Sequence, residues 1–231
     1  NGHSGIKIEN GQIILIEQII GHYLKSLVEI IQKRNPEVSQ IVLTIPSNLT
    51  AIQRKAILNA ASISKVKIAE LIDNPTAAAI SYVKIHNDRF NDDKKLNVLF
   101  IEFGDTSMSS SVASMTSKSI EMKSKVSDKS ISGNVFGQIL ENYLIEKVAE
   151  RYKINPRENK RSMIRFKQAC EKVKKTLSSN PVVLFEVPSL MNDIDVSIPI
   201  KRDEFINLTK SYMPKIKEVI EASIEKAGIS K

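Results

Sequence analysis

Residues 97–112 read NVLFIEFGDTSMSSSV. The apolar run Val98-Leu99-Phe100-Ile101 is broken by one carboxylate, Glu102. It closes on the polar turn Gly104-Asp105-Thr106-Ser107, and a second extended run follows. A continuous apolar run bounded by a Gly turn predicts a strand buried on both faces. A Gly-led turn between two such strands sets backbone N–H groups and hydroxyls at one sheet edge, which is the chemistry a phosphate needs. Any hairpin with a polar turn has the same outline, so the flanking sequence must decide.

Working outward toward the N-terminus, 40–45 (QIVLTI) reads as a buried strand closed by Pro46. Thr50 is placed to N-cap the next helix, with Gln53 completing a capping box. Residues 66–72 form another strand. Asn74 then reads as an N-cap with Pro75 at the first helical position. Strand, helix, strand, helix over 40–86 is the sign of an α/β layer. One sheet with helices on both faces is expected to hold 40–45, 66–72 and 97–103. Further upstream, Ile16, Ile19, Ile20, Tyr23, Leu24, Leu27, Ile30 and Ile31 make a helical stripe facing a core.

Toward the C-terminus, 118–126 predicts a strand and 127–133 a Gly-ended turn. A helix follows from Val135. Asn155-Pro156 separates it from a basic helix over 161–177. Strands are expected over 181–187 and 194–200, and one last helix over 202–227. On the basic helix, Phe166, Cys170, Val173 and Leu177 form an apolar stripe. Glu171, Lys174 and Ser178, spaced i, i+3 and i+7, form a separate polar one, with Lys175 beside it. Such a face can grip a ribose and a base edge. It is also what a solvated helix with an i,i+3 ion pair looks like, a pair contributing only about 0.2–0.5 kcal/mol.

The chain has 231 residues, enough to bury about 70% of its unfolded surface without metal or disulfide. The net charge is 34 − 26 = +8. The lysines are spread along the chain and aromatic residues are only 5%, so a nucleic-acid partner is not expected. No apolar run approaches the roughly 18 residues of a membrane span. Cys170 is the sole cysteine, so no internal disulfide forms. It shares no metal-ligand spacing with His3, His22 or His86. Asn48-Leu49-Thr50 and Asn207-Leu208-Thr209 match the glycosylation pattern, in an Asn-rich chain where chance produces such matches. The first residue is Asn, which suggests a piece of a longer protein.

The strings Leu71-Ile72-Asp73-Asn74-Pro75-Thr76-Ala77-Ala78-Ala79 and Ala169-Cys170-Glu171-Lys172-Val173-Lys174-Lys175-Thr176-Leu177-Ser178-Ser179 resemble two motifs of the heat-shock 70 chaperone ATPase domain. So do 40–46 with Gln53-Arg54-Lys55-Ala56, and the strand–turn–strand at 97–112. These motifs stand in the family's order, and the resemblance covers roughly 15–231. It implies an α/β, actin-like ATPase (ribonuclease H-like) fold, here as an incomplete two-lobed nucleotide-binding domain. Residues 1–93 would belong to the first lobe and 94–130 to the second-lobe core. Residues 131–209 would form an outer subdomain, and 210–231 a return helix.

The resemblance also implies ATP or ADP with Mg²⁺ as cofactor of the full-length protein, with weak or absent binding by residues 1–231 alone. Gly104, Asp105, Thr106, Ser107 and Gly133 would lie near the phosphates, Glu171 and Lys174 near the ribose, and Lys175 and Ser178 near adenine. Asn74, Glu102 and Ser109 stand where the family has Glu, Asp and Asp around its ions. The family's three-glycine turn is here Gly104-Asp105-Thr106, and a carboxylate facing phosphate would repel it. The family's N-terminal phosphate loop, its catalytic lysine and its late adenosine motif are absent from 1–231. Departures of this kind are similar to the large heat-shock 110/170 branch, whose members serve mainly as nucleotide exchange factors and holdases. The implied partners are a heat-shock 70 ATPase domain and, through regions outside this chain, unfolded clients. The implied location is the cytoplasm, or the endoplasmic reticulum lumen for a heat-shock 170 type. The alternatives are an active ATP-hydrolysing heat-shock 70 chaperone and, from charge alone, a basic nucleic-acid-binding module.

Overall fold

The structure, a computed structural model, describes residues 4–92 and 94–229. His3 and the boundary residue Asp93 lie outside them. The chain divides into two compact units. The first holds the residues up to 97 together with 114–122, and the second holds 98–113 together with the residues from 123 onward.

In the first unit β1 (Gly5–Lys7) pairs antiparallel with β2 (Ile13–Leu15), and α1 (Ile16–Arg34) follows. Strand β3 (Ile41–Ile45) pairs in parallel with β4 (Ile68–Asp73), Leu43 opposite Leu71 and Thr44 opposite Ile72. Helix α2 (Ala51–Ile63) makes the crossover, the long connection that a parallel pair requires. Its start follows the sequence signal. The Gln53 amide donates to the Thr50 hydroxyl at 3.3 Å, and the Thr50 amide donates to the Gln53 side chain at 2.9 Å. Helix α3 (Asn74–Ile85) begins one residue earlier than expected, with Asp73 as its N-cap. The Asp73 carboxylate gives the helix no cap bond, because the Arg54 guanidinium holds it at 2.8 Å.

Only part of the apolar stripe of α1 is buried, Leu24 fully and Ile20 in part. Tyr23 is 64% exposed and Ile30 55%, while Glu17, Gly21 and Leu24 are buried. The reason is close packing on α2. A Cβ on Gly21 would meet the Ala60 carbonyl oxygen at 2.6 Å, so the helices approach along the small-residue edge.

The segments expected in one sheet are all strands, but they are divided between sheets. Strand β5 (Leu96–Phe103) joins β6 (Met108–Met115) and β7 (Ile120–Asp128), with β6 central. Connections this short permit only antiparallel neighbours. Strand β5, expected to be buried on both faces, is the edge: Leu99, Ile101 and Phe103 are 37–53% exposed. The central β6, MSSSVASM, is buried at every residue. Among the described residues no buried side-chain oxygen or nitrogen lacks a hydrogen-bond partner, the serines of β6 and its neighbour β7 included. Ser110 and Ser223 share a 2.7 Å hydroxyl bond, and the Ser124 hydroxyl donates to the Ser223 carbonyl at 2.6 Å.

The second unit continues with α4 (Gly133–Tyr152), α5 (Lys160–Thr176) and the hairpin β8 (Val182–Met191)–β9 (Ile194–Lys201). The hairpin register breaks between Val187 and Met191, where Pro188 cannot donate to the ladder. Its main core joins Leu140, Leu144 and Val148 of α4 to Phe166, Cys170 and Val173 of α5 and to Phe185, Val196 and Ile200 of the hairpin. The Phe166 and Phe185 rings meet edge to face, centroids 4.8 Å apart. The single helix expected over 202–227 is two. Helix α6 (Arg202–Thr209) passes through a 3₁₀ turn into α7 (Met213–Lys226). Pro214, in the first turn of α7, has no N–H to continue the ladder of α6.

Candidate functional site

The second unit contains a cavity of about 240 Å³ lined by Asp105, Asn134, Gly137, Gln138, Glu141, Lys167, Cys170, Glu171 and Lys174. One wall is α4, presenting Asn134, Gln138 and Glu141 at i, i+4 and i+7. The other is α5, presenting Lys167, Glu171 and Lys174 at i, i+4 and i+7. Each is a polar face flanking a stripe buried in the main core. The turn after β5 supplies Asp105.

Of the residues singled out in the sequence, Asp105, Glu171 and Lys174 line this cavity. Gly133 joins them through its carbonyl, which accepts from Lys174 Nζ at 3.1 Å. Lys174 also pairs with Glu171 at 2.6 Å, and that hydrogen bond holds the Glu171 carboxyl below the usual carboxylate range. Lys175 pairs with Glu171 at 3.4 Å from the exposed side. Ser178 lies just past the end of α5, its amide bonded to the Lys175 carbonyl at 3.2 Å. Neither lines the cavity. Arg202 fixes this helix end, its guanidinium donating to the Leu177 carbonyl at 2.7 Å and to that of Ser178 at 3.4 Å.

The turn at 104–107 is tied to α4. The Gly104 amide donates to Ser107 O at 2.9 Å, and a Cβ at Gly104 would crowd that oxygen at 3.1 Å. Gly133 and Asn134 donate their amides to the carbonyls of Gly104 and Asp105, each at 2.9 Å. The Val135 amide donates to the hydroxyl of Ser132, the buried N-cap, at 3.2 Å. The first three donors of α4, the usual anion seat of a helix, are therefore engaged within the protein. The amides of Asp105 and Thr106 make no bond to a described residue, and both residues are exposed.

The other three candidates divide between the units. The Ser109 hydroxyl, nearly buried, donates to Glu102 Oε2 at 3.1 Å, so two adjacent strands hold a hydroxyl–carboxylate pair. Asn74 opens α3 in the first unit, half-buried. Among the described residues no group of three or more His, Cys, Asp or Glu side chains is placed to hold a metal ion.

Reading the sequence missed Asn134, Gly137, Gln138, Glu141 and Lys167. The available signal was the i, i+4, i+7 polar stripe of α4, which reads equally as solvated surface. Cys170 was assigned to the core and does lie there, 4% exposed, but its side chain also reaches the cavity. Burial, and next the Glu141 charge, push its thiol up out of reach of ionisation.

A profile of the family described as Hsp70 protein matches residues 1–231. The chain is 32% identical over 214 residues to heat shock 70 kDa protein 14 of Arabidopsis thaliana, covering 92% of this chain and 26% of that protein. It is 30% identical over 237 residues to heat shock 70 kDa protein 4L of Homo sapiens, covering 100% and 28%. It is 37% identical over 187 residues to heat shock protein 88 of Dictyostelium discoideum, covering 81% and 24%. The chain thus spans about a quarter of the length of these relatives. No helix among the described residues is long and apolar enough to cross a membrane. Matched by the family along its whole length and aligned with these chaperones over most of it, the chain belongs to the Hsp70 family, whose ATPase domain has the actin-like ATPase fold.

Proposed function

We propose that this chain is part of the nucleotide-binding domain of a large-branch, heat-shock 110/170-like Hsp70 relative. Its main task is to speed nucleotide exchange on an Hsp70 partner, and its own ATP hydrolysis is weak. Residues 1–93 supply first-lobe structure and 94–130 the second-lobe core. Residues 131–209 form the outer subdomain, and 210–231 return to the second lobe. Glu171 and Lys174 hold the ribose, with Lys175 and Ser178 toward adenine. Gly104, Asp105, Thr106, Ser107 and Gly133 form the phosphate side. Clients bind through regions outside this chain, in the cytoplasm or the endoplasmic reticulum lumen.

The observation that carries this reading is the Ser109–Glu102 pair. Where the family has two carboxylates, one is a hydroxyl that spends its proton on the other at 3.1 Å. A cation between them has one negative charge fewer and a carboxylate already occupied. Glu102 is also one methylene longer than Asp, and catalytic geometry is sensitive to shifts near 1 Å. Asn74, in the first unit, is likewise neutral where the family has Glu, and phosphoryl transfer depends on charges of this kind. Of the family ligand, the nucleoside half fits the Glu171–Lys174 wall. The polyphosphate half meets a helix start whose first three amides are engaged beside Asp105, a carboxylate with no ion pair to a described residue, so the phosphate side holds it weakly.

The test is stopped-flow release of fluorescent ADP from an Hsp70 partner, with the full-length protein added. Acceleration is expected. Its absence at saturating protein, with single-turnover hydrolysis at an ordinary family rate, would favour the active chaperone instead. Hydrolysis is expected at least ~100-fold below such a rate, a barrier rise of roughly 2.7 kcal/mol, and Asn74→Glu, Glu102→Asp, Ser109→Asp combined should recover part of it.

A further inference from the structure

Charge is distributed unevenly around the cavity. Its lining carries three carboxylates, Asp105, Glu141 and Glu171, against two ammonium groups, Lys167 and Lys174. Lys174 is paired with Glu171 at 2.6 Å and Lys167 with Glu141 at 3.9 Å. Both cations are therefore compensated by neighbours on the cavity walls. Lys175, outside the lining, pairs with Glu171 as well at 3.4 Å, and within the lining 2 − 3 leaves one negative charge over. That charge belongs to Asp105, which makes no ion pair with a described residue.

Asp105 also stands at a particular place. Its Oδ1 lies 3.5 Å from where a Cβ on Gly133 would be, beside the first residue of α4. A helix start attracts an anion through its free amides and its dipole. Here the amides of Gly133, Asn134 and Val135 already donate to Gly104 O, Asp105 O and Ser132 Oγ, and a carboxylate of the chain itself stands beside that start. The two amides left open, those of Asp105 and Thr106, belong to the residue bearing the repelling charge and to its neighbour. The volume points the same way. At about 240 Å³ the cavity is smaller than the roughly 300–1,000 Å³ of sites that enclose drug-sized ligands. It suits a compact group more than an extended polyphosphate.

We infer that this cavity selects a purine nucleoside with few or no phosphates over the triphosphate, and that Asp105 is the residue that sets this selectivity. The inference rests on the reading of the α4–α5 wall as a nucleoside site. Glu171 offers acceptor oxygens for ribose hydroxyls. Asn134 and Gln138 offer both donors and acceptors for a base or sugar edge. None of these requires a phosphate for binding. Each added phosphate brings negative charge toward Asp105 with no uncompensated cation in the lining to meet it.

The experiment is calorimetric titration of the 231-residue chain with adenosine, AMP, ADP and ATP, each with and without Mg²⁺, repeated on Asp105→Asn. The substitution is nearly isosteric and lies at an exposed turn, so the fold is retained. The readout is the ratio of adenosine to ATP affinity. In the unaltered chain adenosine should bind about tenfold or more tighter than ATP, as expected for one partly screened like-charge contact. In Asp105→Asn that ratio should shrink toward one. Equal or tighter ATP binding by the unaltered chain overturns the inference and leaves the nucleoside site standing. So does a ratio that Asp105→Asn leaves unchanged. ATP binding that Mg²⁺ restores in the unaltered chain but not in Asp105→Asn also overturns it, because Asp105 would then seat a cation. If neither protein binds any adenine compound, the nucleoside site itself falls and the inference falls with it.

Discussion

The two units are built from the same kinds of element, and they use apolar sequence differently. In the second unit, α5 and the β8–β9 hairpin bury the faces their patterns assign. Phe166, Phe185 and Ile200 have no solvent exposure, and Val173 and Val196 have 3% or less. In the first unit α1 has an equally clear stripe, yet Tyr23, Ile30 and Ile19 are 42–64% exposed, and Ile52 of α2 is 81% exposed. The contact there runs through Gly21 and the Ala60 carbonyl instead. A stripe therefore states which face can be buried. Which face is buried depends on what stands opposite, and only in the second unit does the local chain supply it.

The largest expected effect is in the second unit. Phe166→Ala removes a fully buried ring and its edge contact with Phe185. It should destabilise this unit by about 3–5 kcal/mol, read from hydrogen exchange of the α5 and β8 amides. Leu24→Ala in the first unit, where Leu24 is 4% exposed, should cost about 2–3 kcal/mol, the low end for Leu truncation, read from the α1 and α2 amides. If Leu24→Ala costs as much as Phe166→Ala, the contrast in packing is wrong. Tyr23→Ser and Ile30→Ser should each stay within about 0.5 kcal/mol, and a larger loss in either would show that the exposed stripe is covered in solution.

Thr50→Ala should cost about 1 kcal/mol, because it removes the hydroxyl that accepts from the Gln53 amide at the start of α2 and leaves only the bond from the residue-50 amide to the Gln53 side chain. This site shows what kind of information the sequence held. Cap and strand signals were legible because they need only one helix start or two successive segments: Thr50 with Gln53, and the strands that pair Val182 through Val187 with Lys201 through Val196. The strand β5 and the final helix were misread for different reasons. The place of β5 at the sheet edge is set by strand order, which a run of Val, Leu, Phe and Ile does not encode. The break at Pro214 was encoded, but the amphipathic pattern on either side of it continues across the break. The site divides in the same way. Glu171 and Lys174, an i,i+3 pair, were legible as a unit. Asn134, Gln138 and Glu141 were not, because their value comes from facing α5 across a cavity. The engagement of the Gly133 and Asn134 amides by 104–105 needed the fold.

The smallest effect, and the one that separates the units by mechanism, is the response to acid. Glu204 in the second unit accepts from the Lys201 amide at 2.8 Å and from the Tyr143 hydroxyl at 2.8 Å. Those bonds, the backbone one first, with Lys147 nearby at 3.9 Å, hold its carboxyl below the ordinary glutamate value against the opposing cost of burial. Asp92 in the first unit is also held low, by hydrogen bonds from the side chains of Lys118 and then Ser117, but it lies at the surface. In both cases the folded value lies below the unfolded one. The stabilisation is therefore present above the unfolded value, about 4.3 for Glu and 3.9 for Asp, and is lost as pH falls through the folded value. Glu204→Gln keeps an acceptor for the Lys201 amide and removes the charge. Its stability deficit at pH 7 should fade as the solution is acidified below about pH 4.3. The Asp92→Asn deficit should do the same at low salt. The two should part in about 1 M salt, where the screening length is ~3 Å. The Asp92 effect, carried by an exposed ion pair, should largely vanish. That of Glu204 should largely persist, because its first cause is a backbone N–H rather than a distant charge. Its side chain is about one-third exposed, so the persisting part is small and is best read as a difference in acid midpoint between Glu204→Gln and the unaltered chain. Equal salt sensitivity of the two substitutions would show that Glu204 too is held by long-range charge, and the distinction between the units would then be one of packing alone.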